Sequence, residues 1–151
     1  MRIWEAARNN LFAAKRITYV KEPFYNYVIR EGSIMSAAKE EKNYHDRCKM
    51  IETVNGYYRQ KEAYNKYKKE LEYLALFHAY FIPAKEILFR KGDRVYIDKF
   101  RDFVREWYPE YVHNPYLNSM SQKEKLQFYM IDHKQYWVVN LLSWIRQTLK
   151  K

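Results

Sequence analysis

The sequence contains few of the residues that interrupt or cross-link a chain. Glycine occurs 3 times and proline 4 times in 151 residues, so the breaks between regular segments are easy to place. The single cysteine, Cys48, excludes an intramolecular disulfide and favours a reducing compartment. We interpret Cys48 as a small buried hydrophobe, since no neighbouring residue in the sequence marks an activated nucleophile.

Segments typical of export or of membrane crossing are also missing. Residues 1–16 carry charges through their middle and lack the apolar region of a signal peptide. No stretch approaches the roughly 20 apolar residues that a bilayer span requires. The sequence therefore predicts a cytoplasmic protein, either free or peripheral at the inner face of the membrane.

What the chain does contain is apolar residues and positive charge. Hydrophobic residues make up 48% of it, which is enough to build a core for one domain or for part of a larger protein. The formal net charge is +10. Such a surface attracts anions, including phosphate-bearing ligands, nucleic acid and acidic lipid headgroups.

Hydrophobic periodicity predicts a mainly α fold, a bundle of about five or six helices with a short extended or β segment near residues 16–30. Gly56 is expected to be a break or a weak point in the first long helix, and Pro83 to end or kink a later helix or to open a new one. Ser121 and Glu124 have the spacing of a capping box that opens a helix reaching about Asp132. Two helical stripes are clear: Tyr64, Tyr67, Leu71, Leu74, His78 and Phe81, and then Ile97, Phe100, Val104 and Trp107.

The last predicted helix begins near Lys134 and has a broad apolar face with two tryptophans, Trp137 and Trp144. A cluster of cations follows at Arg146, Lys150 and Lys151. This combination is typical of a helix that lies on a membrane surface, although the same face can close a helical core. The core interpretation is favoured.

Motifs for metal, nucleotide or nucleic-acid chemistry are absent from the sequence. The four histidines do not have zinc-ligand spacing, and there is no phosphate-binding glycine loop. Asp98 and Asp102 lie one helical turn apart, but Lys99 and Arg101 between them favour a solvated helix face over a cation site. Nucleic-acid binding is disfavoured, because the lysines alternate with glutamates and the tyrosines fall on helix stripes.

The dense block at residues 14–37, AKRITYVKEPFYNYVIREGSIMSA, carries a family resemblance. A helix ends in the basic pair of "AKRI", a short strand follows, and an aromatic element "EPFYNY" leads to a Gly-Ser-Ile turn. This order resembles the end of the catalytic domain of glycosyltransferase family 2, over roughly residues 3–36. Residues 37–151 resemble the basic, tyrosine-rich helical extension that such enzymes often carry.

The resemblance implies two regions: residues 1–36, the end of a GT-A-like catalytic domain, and residues 37–151, a helical C-terminal region. It places a substrate-binding surface at Tyr27, Arg30, Gly32 and Ser33. There the guanidinium and the turn amides would meet a diphosphate or a sugar hydroxyl. An alternative stays open, in which the tyrosine packs and the arginine is a surface charge.

The chain departs from the family in lacking its catalytic groups. It has no Asp-x-Asp triplet for a metal, and Met-Arg-Ile stands where a Glu-Asp base is expected. We therefore expect no catalytic residue, metal ligand or cofactor in this chain, and a divalent cation (Mg²⁺ or Mn²⁺) only in a full-length enzyme. Alone, this part of a transferase for cell-surface polysaccharide synthesis should be inactive.

The expected partners are the upstream catalytic portion, a membrane surface or lipid-linked acceptor, and a second copy of the chain. The alternative function is a free-standing basic helical module that binds an anionic partner (membrane surface or nucleic acid) or mediates oligomerisation.

Overall fold

The computed structural model describes residues 10–18, 21–22 and 40–138, and this part of the chain is mainly helical, as predicted. Residues 10–13 are helical, and the α-helices that follow are α1 (Glu40–Gln60), α2 (Lys68–Leu76), α3 (Ile82–Arg90), α4 (Val95–Trp107) and α5 (Gln122–Asp132). A π-helix (Phe77–Phe81) joins α2 to α3, and two 3₁₀ turns (Tyr111–His113 and Pro115–Ser119) join α4 to α5. Most of the extended segment predicted near residues 16–30 lies outside the described residues.

Helix α1 is long because its ends suit the helix dipole and its interior is not interrupted. Glu40 and Glu41 lie in its first turn and Arg59 in its last, where carboxylates and cations are respectively stabilising. The predicted interruption at Gly56 is wrong: the helix passes through this residue, whose α-carbon faces open space. The helix ends instead before Glu62, which has a positive φ of 55°.

Helices α2 and α3 form one continuous rod through the π-helix. The Ile82 amide donates to the carbonyl of Phe77, five residues back, and Pro83 is the second residue of α3. Pro83 has no amide hydrogen, and in a regular α-helix its ring would clash with the carbonyl four residues earlier. The wider π-turn before Pro83 lets the helix continue without that clash. The rod ends at Lys91, in the left-handed region, with Gly92 N donating to Ile87 O at 2.9 Å.

The π-helix lies at the centre of the bundle and packs against α1, α4 and its two flanking helices. Its Tyr80 and Phe81 are fully buried and meet Phe128 of α5 edge to face, with ring centroids 6.2 and 6.0 Å apart. Tyr111 completes this cluster at 6.1 Å from Tyr80. Several tyrosines are thus core residues with a polar tip, as the helical stripes indicated.

Arg47 of α1 bridges to the π-helix and to α3. Its Nη1 donates to the carbonyl of His78 at 2.8 Å, and its Nη2 lies 2.9 Å from Glu86 Oε2. Its Nε donates to Asn43 Oδ1 at 2.7 Å. In a regular π ladder the His78 carbonyl would accept from residue 83, which is proline and has no donor. The guanidinium takes that place.

Helix α5 begins with the predicted capping box. The Ser121 hydroxyl accepts from the Glu124 amide, and the Glu124 carboxylate accepts from the Ser121 amide at 3.0 Å.

In the described part of the chain, no helix has the length and apolar character needed to cross a bilayer.

Candidate functional site

A groove of 260 Å³ runs between α5 and the two 3₁₀ turns. We call it the Asp132 groove, and most of its wall is apolar. Its lining residues are Val112, Leu117, Asn118, Met120, Lys125, Phe128, Tyr129, Asp132 and His133. Its volume lies between that of a benzene-sized cavity, about 150 Å³, and pockets for drug-sized ligands, about 300–1,000 Å³. One sugar ring is a ligand of this size.

Buried phenols hold the carboxylate of Asp132 in place. Tyr111 Oη donates to Oδ1 at 2.6 Å, and Tyr80 Oη donates to the same oxygen at 3.1 Å. Burial, reinforced by the negative charge of Asp132, raises the pKa of both phenols, so they stay protonated donors at neutral pH. Within the described residues no donor bonds Oδ2, which leaves that oxygen available to a ligand.

A second layer of charged groups supports the end of α5. Arg101 is only 4% exposed, and its Nη1 donates to the Asp132 backbone carbonyl at 3.3 Å. Its Nη2 pairs with Asp98, which also lies 3.2 Å from Lys134 Nζ. Asp98 therefore contacts two cationic side chains, and one of them, Arg101, is buried, so this part of α4 is not the solvated face that the sequence predicted.

An aromatic pair forms the outer edge of the groove. The rings of Tyr129 and His133 lie 4.0 Å apart at an interplanar angle of 31°, and Tyr129 is 52% exposed. His133 Nδ1 lies 2.9 Å from the Tyr129 carbonyl, which can only accept, so Nδ1 carries the hydrogen. In the tautomer that carries its hydrogen on Nδ1, Nε2 is the acceptor. Apolar ring faces thus lie beside two hydrogen-bond acceptors, Nε2 and the Asp132 carboxylate.

The opposite wall is fixed by Asn114, which is 3% exposed. Its Nδ2 donates to the Lys69 carbonyl at 2.9 Å, and its Oδ1 accepts from the Tyr116 amide at 2.9 Å. These bonds anchor the 3₁₀ turn Pro115–Ser119 to α2. The groove is consequently preformed on both sides.

A second groove of 280 Å³ lies beyond the same 3₁₀ turn, and we call it the Tyr116 groove. It is lined by Glu70, Tyr73, Leu74, Phe77, His78 and Tyr116. Tyr116 Oη donates to Glu70 Oε1 at 2.6 Å, and this bond raises the pKa of the phenol. Glu70 thus resembles Asp132 in that a tyrosine of the same chain holds one of its two carboxylate oxygens.

The site residues predicted from the sequence, Tyr27, Arg30, Gly32 and Ser33, all lie outside the described residues. Among residues 10–18, 21–22 and 40–138, no group of three or more histidine, cysteine or acidic side chains is arranged to hold a metal ion. Cys48 is buried, as expected, and burial raises the pKa of its thiol to about 12.

Sequence reasoning did not identify Asp132 and His133 as site residues. In the sequence they are simply two polar residues at the end of the helix predicted to open at Ser121. The partners of Asp132, Tyr80 and Tyr111, are 52 and 21 positions away in the sequence. The only available signal was an acidic residue and a histidine together at a helix end, which is too common to indicate a site.

Comparison with family models, with curated proteins and with solved structures finds no match for this chain. The resemblance to glycosyltransferase family 2 stays a prediction from the motifs of residues 3–36.

Proposed function

We propose that this chain is the C-terminal region of a family 2-like glycosyltransferase, and that the Asp132 groove holds a sugar ring of the saccharide acceptor. The carrying observation is the carboxylate of Asp132, whose Oδ1 is held by Tyr80 and Tyr111 beside the ring pair of Tyr129 and His133. The motifs at residues 14–37 support the choice of enzyme class.

The chemistry of the groove suits a sugar better than a charged or purely apolar ligand. A pyranose has apolar C–H faces that pack on aromatic rings and hydroxyl edges that donate hydrogen bonds. A carboxylate accepts such bonds with charge assistance, and Asp132 Oδ2 and His133 Nε2 supply two acceptors. Lys125 and the Asn118 amide are donors among the lining residues.

In the full enzyme, the acceptor hydroxyl would attack a nucleotide-activated sugar with the help of a carboxylate base and a divalent cation. Those groups would belong to the upstream catalytic portion. The described helices would position the acceptor and take no part in bond breaking. Polysaccharide synthesis, the cytoplasmic location and the contact with an upstream domain belong to this proposal.

The test is an equilibrium titration of the chain with methyl glycosides of common surface sugars, such as glucose, galactose and N-acetylglucosamine. A ligand of about 13 non-hydrogen atoms at about −0.3 kcal/mol per atom predicts a dissociation constant near 1 mM for the best glycoside. Asp132→Asn keeps an oxygen for both phenols but removes the charge, and should weaken binding about tenfold. Tyr129→Ala should do the same by removing the ring.

The matched control is Tyr116→Phe in the other groove, which should leave binding unchanged. Equal affinities for the wild-type chain and the Asp132→Asn and Tyr129→Ala variants, or no binding of any glycoside up to about 50 mM, would contradict the proposal.

A further inference from the structure

The lining of the Tyr116 groove includes a cluster of aromatic rings from two separate elements. Tyr73 and Phe77 lie on the rod formed by α2 and the π-helix, and their rings are stacked, with centroids 5.7 Å apart at an interplanar angle of 30°. Tyr116 comes from the 3₁₀ turn Pro115–Ser119, and its ring centroid lies 5.8 Å from that of Tyr73. Three rings therefore border one cavity.

A single acid accompanies these rings. Glu70 lies three residues before Tyr73, and the residues that line the groove include no other carboxylate and no lysine or arginine. Tyr116 Oη donates to Glu70 Oε1 at 2.6 Å, and the phenol remains protonated at neutral pH because this bond raises its pKa. Glu70 therefore keeps its negative charge beside the rings.

The lysines close to this acid in the sequence are directed elsewhere. Lys69 Nζ lies 3.1 Å from Glu72 Oε2, and Lys66 Nζ lies 5.3 Å from the centroid of the Tyr67 ring. Lys68 is two residues before the acid of the groove, so the two do not share a face of α2. These cations thus leave the charge of the groove in place.

The remaining cation in contact with a lining residue is also paired. Arg47 donates to the backbone carbonyl of His78, and its Nη2 lies 2.9 Å from Glu86 Oε2. The pKa of Tyr116 agrees with this balance, since the bond to Glu70, partial burial and the charge of Glu70 all raise it. The groove is locally negative in a chain whose net charge is +10.

The aromatic cluster is held in place from several sides. The Tyr116 amide donates to Asn114 Oδ1 at 2.9 Å, and Asn114 Nδ2 donates to the Lys69 carbonyl of α2. The Phe77 ring contacts that of Phe81 in the core, with centroids 5.8 Å apart. Binding therefore needs little ordering of the rings.

We propose that the Tyr116 groove binds a quaternary ammonium group, such as that of choline, with the methylated cation against the rings of Tyr73, Phe77 and Tyr116 and the carboxylate of Glu70 beside it. A cation within about 6 Å of a ring centroid is attracted by the ring quadrupole, and clustered rings suit a quaternary ammonium. The groove volume of 280 Å³ exceeds the roughly 150 Å³ of a cavity that holds benzene, so a trimethylammonium group fits.

Other occupants suit these residues less well. Glu70 repels an anion, and a purely apolar ligand would cover its carboxylate without compensating the lost hydration. A primary ammonium has three hydrogens that need acceptors, whereas the lining offers it mainly ring faces. A quaternary ammonium has a positive charge and no hydrogen to satisfy.

This inference does not depend on the saccharide site, because the two grooves share no lining residue. Failure of glycoside binding would leave it intact, and the reverse also holds.

The experiment titrates the whole chain with choline and follows ¹H–¹³C correlation spectra of the aromatic rings. It is run at pH 8 and about 0.15 M salt, where histidine carries little charge and the net charge of the chain is screened beyond about 8 Å. We expect saturation with a dissociation constant on the order of 1 mM for so small a ligand. The His78 signals should shift, and those of His133 should not, since only His78 lines this groove.

Three comparison ligands define the chemistry that is recognised. The neutral isostere of choline, in which a tert-butyl group replaces trimethylammonium, should bind at least about tenfold more weakly. Butylammonium should also bind more weakly than choline. Phosphocholine distinguishes the source of the group: tighter binding than choline supports a choline ester as the ligand, and equal or weaker binding supports free choline.

Two variants test the residues. Glu70→Gln keeps an oxygen for the Tyr116 phenol but removes the charge, and should weaken choline binding about threefold. Tyr73→Leu keeps an apolar side chain but removes a ring face, and should weaken it about fivefold. The matched controls are Glu52→Gln and Phe89→Leu, an exposed acid of α1 and an exposed ring at the end of α3, and both should bind choline like the wild-type chain. Circular dichroism checks that each variant is folded, and the isostere comparison needs no variant.

The proposal is overturned if choline does not bind up to about 50 mM, well above the affinity expected for a ligand of its size. It is also overturned if the neutral isostere binds as tightly as choline, or if Glu70→Gln and Tyr73→Leu both bind choline like the wild-type chain. Tighter binding of butylammonium than of choline would overturn it as well and would assign the groove to a primary ammonium, such as a lysine side chain.

Discussion

Replacing Arg47 by methionine should destabilise the bundle more than the removal of any exposed charge. The reason is that its guanidinium joins α1, the π-helix and α3. The change removes the guanidinium that donates to the His78 carbonyl at 2.8 Å. Pro83, five residues after His78, has no amide hydrogen to donate to this carbonyl. Loss of a charged hydrogen bond to such a group costs about 1.5–3 kcal/mol. The pair with Glu86, whose side chain is 37% exposed, adds at most about 1 kcal/mol after solvent screening.

We therefore expect a loss of about 2–3 kcal/mol in the free energy of unfolding for Arg47→Met. At about 2–4 °C per kcal/mol this lowers Tm by about 4–12 °C. Urea denaturation followed by circular dichroism at 222 nm measures the first value, and a thermal scan measures the second. Arg47→Lys should lose about half as much, because one ammonium cannot span the three acceptors.

Two comparisons separate the carbonyl bond from the ion pair. Glu86→Gln should cost less than about 1 kcal/mol, and the double variant should show a coupling of about 0.5–1 kcal/mol. Arg90→Met, an exposed change at the end of α3, should stay within about 0.5 kcal/mol of the wild-type chain. The reasoning is refuted if Arg47→Met costs no more than Arg90→Met, or if all of its cost disappears in the Glu86→Gln background.

Three further predictions follow from buried polar groups. Tyr80→Phe and Tyr111→Phe should each lower the free energy of unfolding by about 1–2 kcal/mol. The double variant should lose less than the sum of the two, because both phenols donate to Oδ1 of Asp132. Urea titrations of the two single variants and the double variant measure these values. Burial raises the pKa of Tyr80, Tyr108 and Tyr111 above the unfolded value near 10, so the stability they contribute is full below pH 10 and is lost as pH rises further. Absorbance at 295 nm should show a class of tyrosines that ionises only with the alkaline loss of the circular-dichroism signal. Because burial raises the pKa of Cys48 to about 12, a thiol reagent at pH 8 should react with it only after urea unfolds the chain, and rapid labelling without urea would contradict this.

Local patterns in the sequence predicted those elements whose causes are local. The stripe from Ile97 to Trp107 became α4, and Ser121 with Glu124 opened α5, because helical period and capping act within a few residues. Gly56 was misjudged because tertiary packing of α1 outweighs one glycine, which costs about 1 kcal/mol in a helix.

Features that depend on distant parts of the chain were not predicted. Pro83 was recognised as a perturbation, but the π-helix that accommodates it relies on Arg47, which is 31 positions from the carbonyl it caps. The Asp132 groove likewise forms only when Tyr80, Tyr111 and Asp132 converge from three separate elements. No local pattern contains that convergence.

The histidine rings provide the most direct test of the proposed saccharide site. His133 lines the Asp132 groove, His78 lines the Tyr116 groove, and His45 lies on the exposed side of α1. A titration of the chain with the methyl glycosides, followed by ¹H–¹³C correlation spectra of the imidazoles, therefore localises any bound sugar. We predict a saturable shift of the His133 signals, with those of His45 and His78 unchanged, and Asp132→Asn should weaken it. A shift of His78 in place of His133, or no shift at all at saturating glycoside, would contradict the account.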